Sequence, residues 1–344
     1  MILKELSEAF GPSGNEKEVR AVIRPALEGH VQRTWVDNLG NLHVEKKGRG
    51  RNRLRVLITA HMDEVGLMVI GHDEGGALRV RTIGGIDSRV LPGALVRLGP
   101  ERIPGVIGVK PIHLLKKEER EQVASIEQLA VDIGAQSKEE ARQAAPLGTS
   151  GVFATTFREL GPTVSGKAFD DRAGCAVLVE LLRGEPLPHD LHAVFTVQEE
   201  VGLRGAFVAA YAAHPDCAFA LEGTIADDLP KKKDLSPTTE LGRGPAITVM
   251  DHTFIAHRGL VRLLMDTAQE AGIPYQVKQP GIGGTDSGAI HLAREGIPSI
   301  TVAVPCRYIH SPVSILSLSD FDNTVRLMRE SLARLKPRTL SNAS

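Results

Sequence analysis

Two hydrophobic rhythms alternate along most of the chain. Short apolar runs at 55–60 (RVLITA), 191–197 (LHAVFTV), 218–221 and 299–304 have the texture of buried central strands. Between them, residues 173–182 (AGCAVLVELL), 206–213, 259–271 and 319–335 carry apolar side chains at helical spacing. Strand 246–249 and the segment 283–291 continue the alternation. The first 50 residues predict helix, turn, helix and then strands over 31–44. This is the pattern of an α/β layered domain.

From 67 to about 160 the rhythm changes. Strand-like pieces (LMVIG, ALRVRTIG, ALVRLG, GVIGVKPI) are broken by Gly and Pro, with one polar helical piece at 116–131. They predict a small β-barrel or sandwich inserted into a catalytic α/β domain formed by 1–66 and 161–344. No internal repeat appears.

With 344 residues, 42% hydrophobic and 24% charged, the chain can bury a substantial core in two units. A formal charge of −1 gives no long-range attraction to nucleic acid or anionic membrane, and Lys231–Lys233 read as a solvated loop. Cys175, Cys217 and Cys306 form no CxxC pair and leave an odd count, so neither a disulfide framework nor a thiolate zinc site is indicated, which suits a reducing compartment. The N-terminus reads as an amphipathic helix without signal-peptide order, and no run has membrane-spanning length, so a cytoplasmic location is expected.

The chemistry collects at one edge of the expected sheet. His61, Glu199, Glu200 and Glu222 fall at the carboxyl ends of predicted strands, Asp170 enters a helix, and His310 lies in the loop after a strand. Singly each has an ordinary reading, an Asp before a helix being a usual N-cap. Jointly, two imidazoles and four carboxylates suit two divalent cations, zinc or cobalt with manganese as a further candidate, and not an all-oxygen calcium site. A pair of ions needs a bridging carboxylate, here Asp170, with His61 and Glu222 completing one and Glu200 and His310 the other. Glu199 is then free as general base, and Asp63 is placed to accept the other ring N–H of His61.

The pieces HMDEVG (61–66), GKAFDDRAG (166–174), VQEEVGLRGA (197–206), GGTDSGAIH (283–291) and RYIHSP (307–312) resemble, in this order, the M42 metallo-aminopeptidases, which include glutamyl and tetrahedral aminopeptidases. The resemblance implies a metallopeptidase-type α/β/α catalytic domain whose inserted β-barrel mediates dimerisation, and homo-oligomers that close into tetrahedral dodecamers. It assigns His61, Asp170, Glu200, Glu222 and His310 as ligands of two metal ions and Glu199 as base. One departure is Glu222, where such enzymes often carry Asp.

The expected reaction is hydrolysis of N-terminal residues from peptides with free amino ends, Glu199 taking a proton from a water acidified by the ions. Two rivals are a dinuclear amidohydrolase acting on N-acylated amino acids or dipeptides and a non-catalytic peptide-binding scaffold. The ligand set does not suit a glycosidase. Asp286 in GGTDSG is expected at the substrate-pocket edge. The side-chain pocket itself can be basic or apolar, with a neutral or aliphatic N-terminal residue expected. Val152–Phe153 are expected at subunit contacts, His113 without a catalytic role, and Cys175 as a small core residue.

Overall fold

The computed structural model describes residues 1–229 and 238–341, so the Lys231–Lys233 run lies outside the described residues. The apolar runs form the middle of an eleven-stranded sheet. Asp190–Thr196, Arg55–His61, Cys217–Ile225 and Ser299–Arg307 lie side by side and parallel, with Thr196 paired to His61 at the carboxyl edge. Leu42–Lys46 joins antiparallel on one side, and Ser314–Ser317 and then Thr163–Gly166 on the other.

These central strands are covered on both faces, so successive side chains enter opposite cores. Val56, Ile58 and Ala60 pack into the cluster that includes helix Phe169–Arg183, whereas Leu57, Val194 and Ala218 pack against helices Arg204–Ala213 and Asp286–Ile290. The Cys217–Ile225 strand runs past its expected end at Glu222, because its pairing with Ser299–Arg307 continues to Ile225–Cys306. On its other side, pairing with Arg55–His61 stops at Ala220–Thr59. Past that point the two strands part, and Glu222 comes opposite His61 across the gap.

The second unit is a closed barrel in the order Gly66–His72, Leu78–Ile83, Ala130–Asp132, Ile103–Gly108, Leu95–Leu98 and Ser150–Phe153. The polar helix expected over 116–131 is one turn, Lys117–Arg120; Leu129 and Val131 are 2% and 0% exposed because they alternate into the barrel core. Val152 and Phe153 are likewise buried within the single chain and offer nothing to a neighbour. Arg158–Leu160, in the last residues expected for the insert, pairs with Thr163–Gly166 in the large sheet, turned back at Gly161, whose φ is +66°.

Candidate metal centre

Six of the expected residues, His61, Asp170, Glu199, Glu200, Glu222 and His310, line one cavity of about 380 Å³ at the carboxyl edge of the sheet. The Asp170–Asp171 pair is divided between two tasks. Both are non-helical, with φ/ψ of −86°/105° and −120°/42°, at the start of helix Phe169–Arg183. Asp171 is the cap: Oδ1 accepts the Gly174 N–H at 2.8 Å and Oδ2 accepts the His61 N–H at 3.0 Å. A Cβ at position 174 would lie 2.3 Å from that Oδ1, so only glycine admits this cap. With Asp171 so occupied, Asp170 is left for the cavity.

Asp170 places its two oxygens against two different imidazoles. Oδ1 is 3.3 Å from His61 Nε2, and Oδ2 is 3.4 Å from His310 Nε2. Glu222 Oε2 stands 3.4 Å from the same His61 nitrogen, and Glu200 Oε1 3.4 Å from that of His310. The far ring nitrogens are fixed by main-chain oxygens: His61 Nδ1 donates to Asp63 O at 3.0 Å and His310 Nδ1 to Gly85 O at 2.8 Å. In the neutral ring each Nε2 is therefore an acceptor aimed at other acceptors, a contact relieved only by a ring proton or a shared cation. Glu200 Oε1 is buried without a hydrogen bond. Potential ligand atoms of His61, Glu199 and Glu222, and of Asp170, Glu200 and His310, converge within 4.8 Å of one another. Donor chemistry and the orphaned oxygen both fit divalent cations.

Electrostatics without cations point the same way. Burial pushes Glu200 up to about 8 despite His310, and Glu222 up to about 7 despite His61. Burial also raises Glu199 well above the usual carboxylate range. His310 would be depressed by burial, but Asp170 and Glu200 hold it at about 9. For His61, burial is overridden by Glu199, Asp170, Asp63 and Glu222, and the ring titrates well above its ordinary value.

Asp63 differs from its expected contact. Its carbonyl oxygen, not its carboxylate, takes the His61 ring proton; Oδ1 is 3.6 Å from that nitrogen. The carboxylate is used by the Glu199 and Glu200 amides, at 3.0 and 3.2 Å, and by the Ser13 hydroxyl at 2.7 Å. Asp286 is absent from the cavity wall: it is fully buried, with Oδ2 accepting from Thr196 Oγ1 at 2.7 Å, while Gly283, Gly284 and Thr285 line the cavity. Cys175 is a buried core residue whose thiol donates to His61 O at 3.1 Å, and His113 lies exposed on the barrel.

Residues the motifs contained but sequence reasoning left without roles sit directly behind the centre. Lys167 Nζ donates to both Glu64 oxygens at 2.6 and 2.8 Å and to Ala9 O; Arg172 reaches Glu64 at 3.1 Å, Met62 O at 2.8 Å and the carbonyl oxygens of Leu6 and Gly11. These ions are 0–4% exposed. The available signal was a charge inside an apolar helical repeat, as with Arg172 beside AGCAVLVELL.

The sequence profile described as M42 glutamyl aminopeptidase matches residues 40–327. The chain belongs to this M42 family. A short profile described as AMPT matches residues 2–23. A relative from Acetivibrio thermocellus, named a putative aminopeptidase, is 38% identical over 96% of this chain and 97% of its own. Pyrococcus furiosus lysyl aminopeptidase is 35% identical over 98% and 97%, and Lactococcus lactis glutamyl aminopeptidase 34% over 97% and 95%. Among solved structures, a TET aminopeptidase from a marine sediment thaumarchaeote superposes with a TM-score of 0.94 at 39% identity over 98% of this chain and 97% of that one. The TET1 peptidase of Pyrococcus horikoshii, described as assembling into a tetrahedron or a large octahedral shell, gives 0.84 at 36% over 96% and 98%. As an M42 protein the chain is an aminopeptidase with the family's α/β and barrel fold.

Proposed function

We propose that this M42 aminopeptidase works with two divalent cations held on either side of Asp170 and that Glu199 is its general base. The observation that carries this reading is the division of the two Asp170 oxygens between His61 and His310, each backed by one further carboxylate. His61, Glu222 and Asp170 would hold one cation, and His310, Glu200 and Asp170 the other. Zinc or cobalt suits this mixed nitrogen and oxygen set, with manganese as a third candidate. When bound, the cations supply polarisation of the scissile carbonyl and acidify a water.

The chain's own groups do the rest. Glu199 Oε2 is 3.9 Å from His61 Nε2, farther than the Asp170 and Glu222 oxygens at 3.3 and 3.4 Å, which supports it as the carboxylate that takes the proton of the attacking water. It then returns that proton to the leaving amine. Asp63 holds the amides of Glu199 and Glu200, so base and ligand are oriented by one carboxylate. The substrate's free amine contacts the acidic wall of the same centre. Leu95, Ile112 and Leu114, 60–65% exposed on the barrel unit, support self-assembly through that unit, so light scattering is expected to give a mass well above the 37.0 kDa of one chain.

The test is release of free amino acids from peptides by stripped protein resupplied with zinc, cobalt or manganese, with N-acetylated copies as controls. Cleavage is expected with cations and a free amine only. Cleavage of the acetylated set makes the protein a deacylase instead. Glu199→Gln is expected to keep bound metal while kcat falls about 10²–10⁴-fold.

A further inference from the structure

The cavity wall holds a cation that the reaction scheme does not use. Lys278, 4% exposed, follows the short strand Gln276–Val277, and its N–H donates to Ile247 O at 3.0 Å. Among the described residues its ammonium group has no hydrogen bond or ion pair, and it is the cavity's one Lys or Arg. Asp251, the foremost of the charges acting on it, is already engaged: Oδ1 accepts from the Thr253 amide and hydroxyl and the Phe254 amide, and Oδ2 from Thr285 Oγ1 at 3.3 Å. Glu222 and Asp170 face the imidazoles. The ammonium opens on the substrate cavity, where an anionic group of a substrate can pair with it.

Beside it is a second unsatisfied group. Strands Ala246–Thr248 and Gln276–Val277 are parallel, with Ala246 opposite Gln276 and Ile247 opposite Val277. Continuing that register sets Thr248 opposite Lys278. Thr248 lines the same cavity, and its Oγ1 is buried without a hydrogen bond. Both line the substrate cavity, and an ammonium and a hydroxyl are donors suited to the two oxygens of a carboxylate.

We propose that Lys278 and Thr248 form a carboxylate-binding subsite that selects peptides beginning with Glu or Asp. This rests on the aminopeptidase reading of the cavity, and it replaces the neutral or aliphatic preference expected from sequence. Family membership leaves the choice open, since relatives of nearly equal identity are named for lysyl and glutamyl release.

The test compares kcat/KM for tripeptide amides that differ only in an N-terminal Glu, Gln, Leu or Lys, using the metal-loaded protein. The wild type is expected to favour Glu over its isostere Gln by about 10–100-fold, the range of a charge-assisted hydrogen-bonded contact. Lys278→Met should bring that ratio to about 1, Thr248→Val should lower it part way, and Lys278→Arg should keep most of it. A wild-type ratio near 1, or a uniform fall on all four peptides with the ratio intact, overturns the subsite while leaving the catalytic reading standing. A preference seen only when the peptides end in a free carboxylate assigns the contact to the C-terminus and also overturns it. Cleavage of none of the peptides rejects the subsite together with the catalytic reading.

Discussion

Without cations the centre is a store of protons. Burial holds Glu200 at about 8 and Glu222 at about 7, and Asp170 with Glu200 holds His310 at about 9 against the burial that would lower it. Around pH 7 the cation-free protein therefore holds protons within the His310–Glu200 cluster that, on the proposed two-cation reading, bound cations displace. Binding is expected to release more than one proton per pair of ions, readable by calorimetry in buffers of different ionisation enthalpy. Apparent affinity should climb with pH up to about 8–9, and binding that releases no protons would contradict the assigned ligand set. The same shifts set the stability of the cation-free fold. Groups raised in the folded state bind protons there that the unfolded chain has released, so their contribution is full below the unfolded values and is lost as pH rises through the folded ones. Cation-free protein should be more stable near pH 5.5 than near pH 8, in a denaturant titration at each pH.

At the scale of elements, the N-terminal helix Ile2–Glu8 and the Gly11 turn are attached to the centre by ions rather than by apolar contact alone. Glu64 carries Lys167 and Arg172, and these two cations hold carbonyl oxygens of Leu6, Ala9, Gly11 and Met62. The segment 61–64, which carries His61 and Asp63, is thereby anchored. Glu64→Gln leaves two buried cations short of their anion and should cost about 3–5 kcal/mol in equilibrium denaturation. The exposed Glu74–Lys138 pair, at 2.7 Å, is the control: Glu74→Gln should produce no measurable loss. Equal effects of the two substitutions would mean that Glu64 does not organise this corner.

For the whole molecule, the centre joins parts of the chain that share no local structure. His61 ends a strand, Glu222 lies within one, Asp170 stands at a helix start, and Glu200 and His310 lie in loops, while the barrel unit reaches in through Gly85 O to orient His310. Removing cations should therefore loosen distant segments together. Hydrogen exchange is expected to rise at 61–64, 168–174, 198–200 and 308–310 on chelation, and to stay unchanged in barrel strands Leu95–Leu98 and Ile103–Gly108. Faster exchange throughout the barrel, or at none of these segments, would count against a centre that ties them together.

The amino-acid sequence by itself determined the α/β alternation, the barrel insert and the six cavity-lining residues, because each follows from short-range pattern: apolar period, Gly and Pro breaks, and the place of a polar residue at the end of an apolar run. Sequence reading named Asp170 apart from Asp171 and Glu199 apart from Glu200, but not the contacts that divide each pair. Only the fold decided that Asp171 caps the helix while Asp170 faces the imidazoles, that Asp63 offers His61 its carbonyl and the Glu199–Glu200 turn its carboxylate, and that Asp286 turns beneath the cavity. The burial of Lys278 and Thr248 was equally hidden, since whether a lysine meets water depends on what distant chain packs over it. Short-range pattern fixes which elements form; the partners of a polar atom are set by long-range packing, which no local window of residues contains.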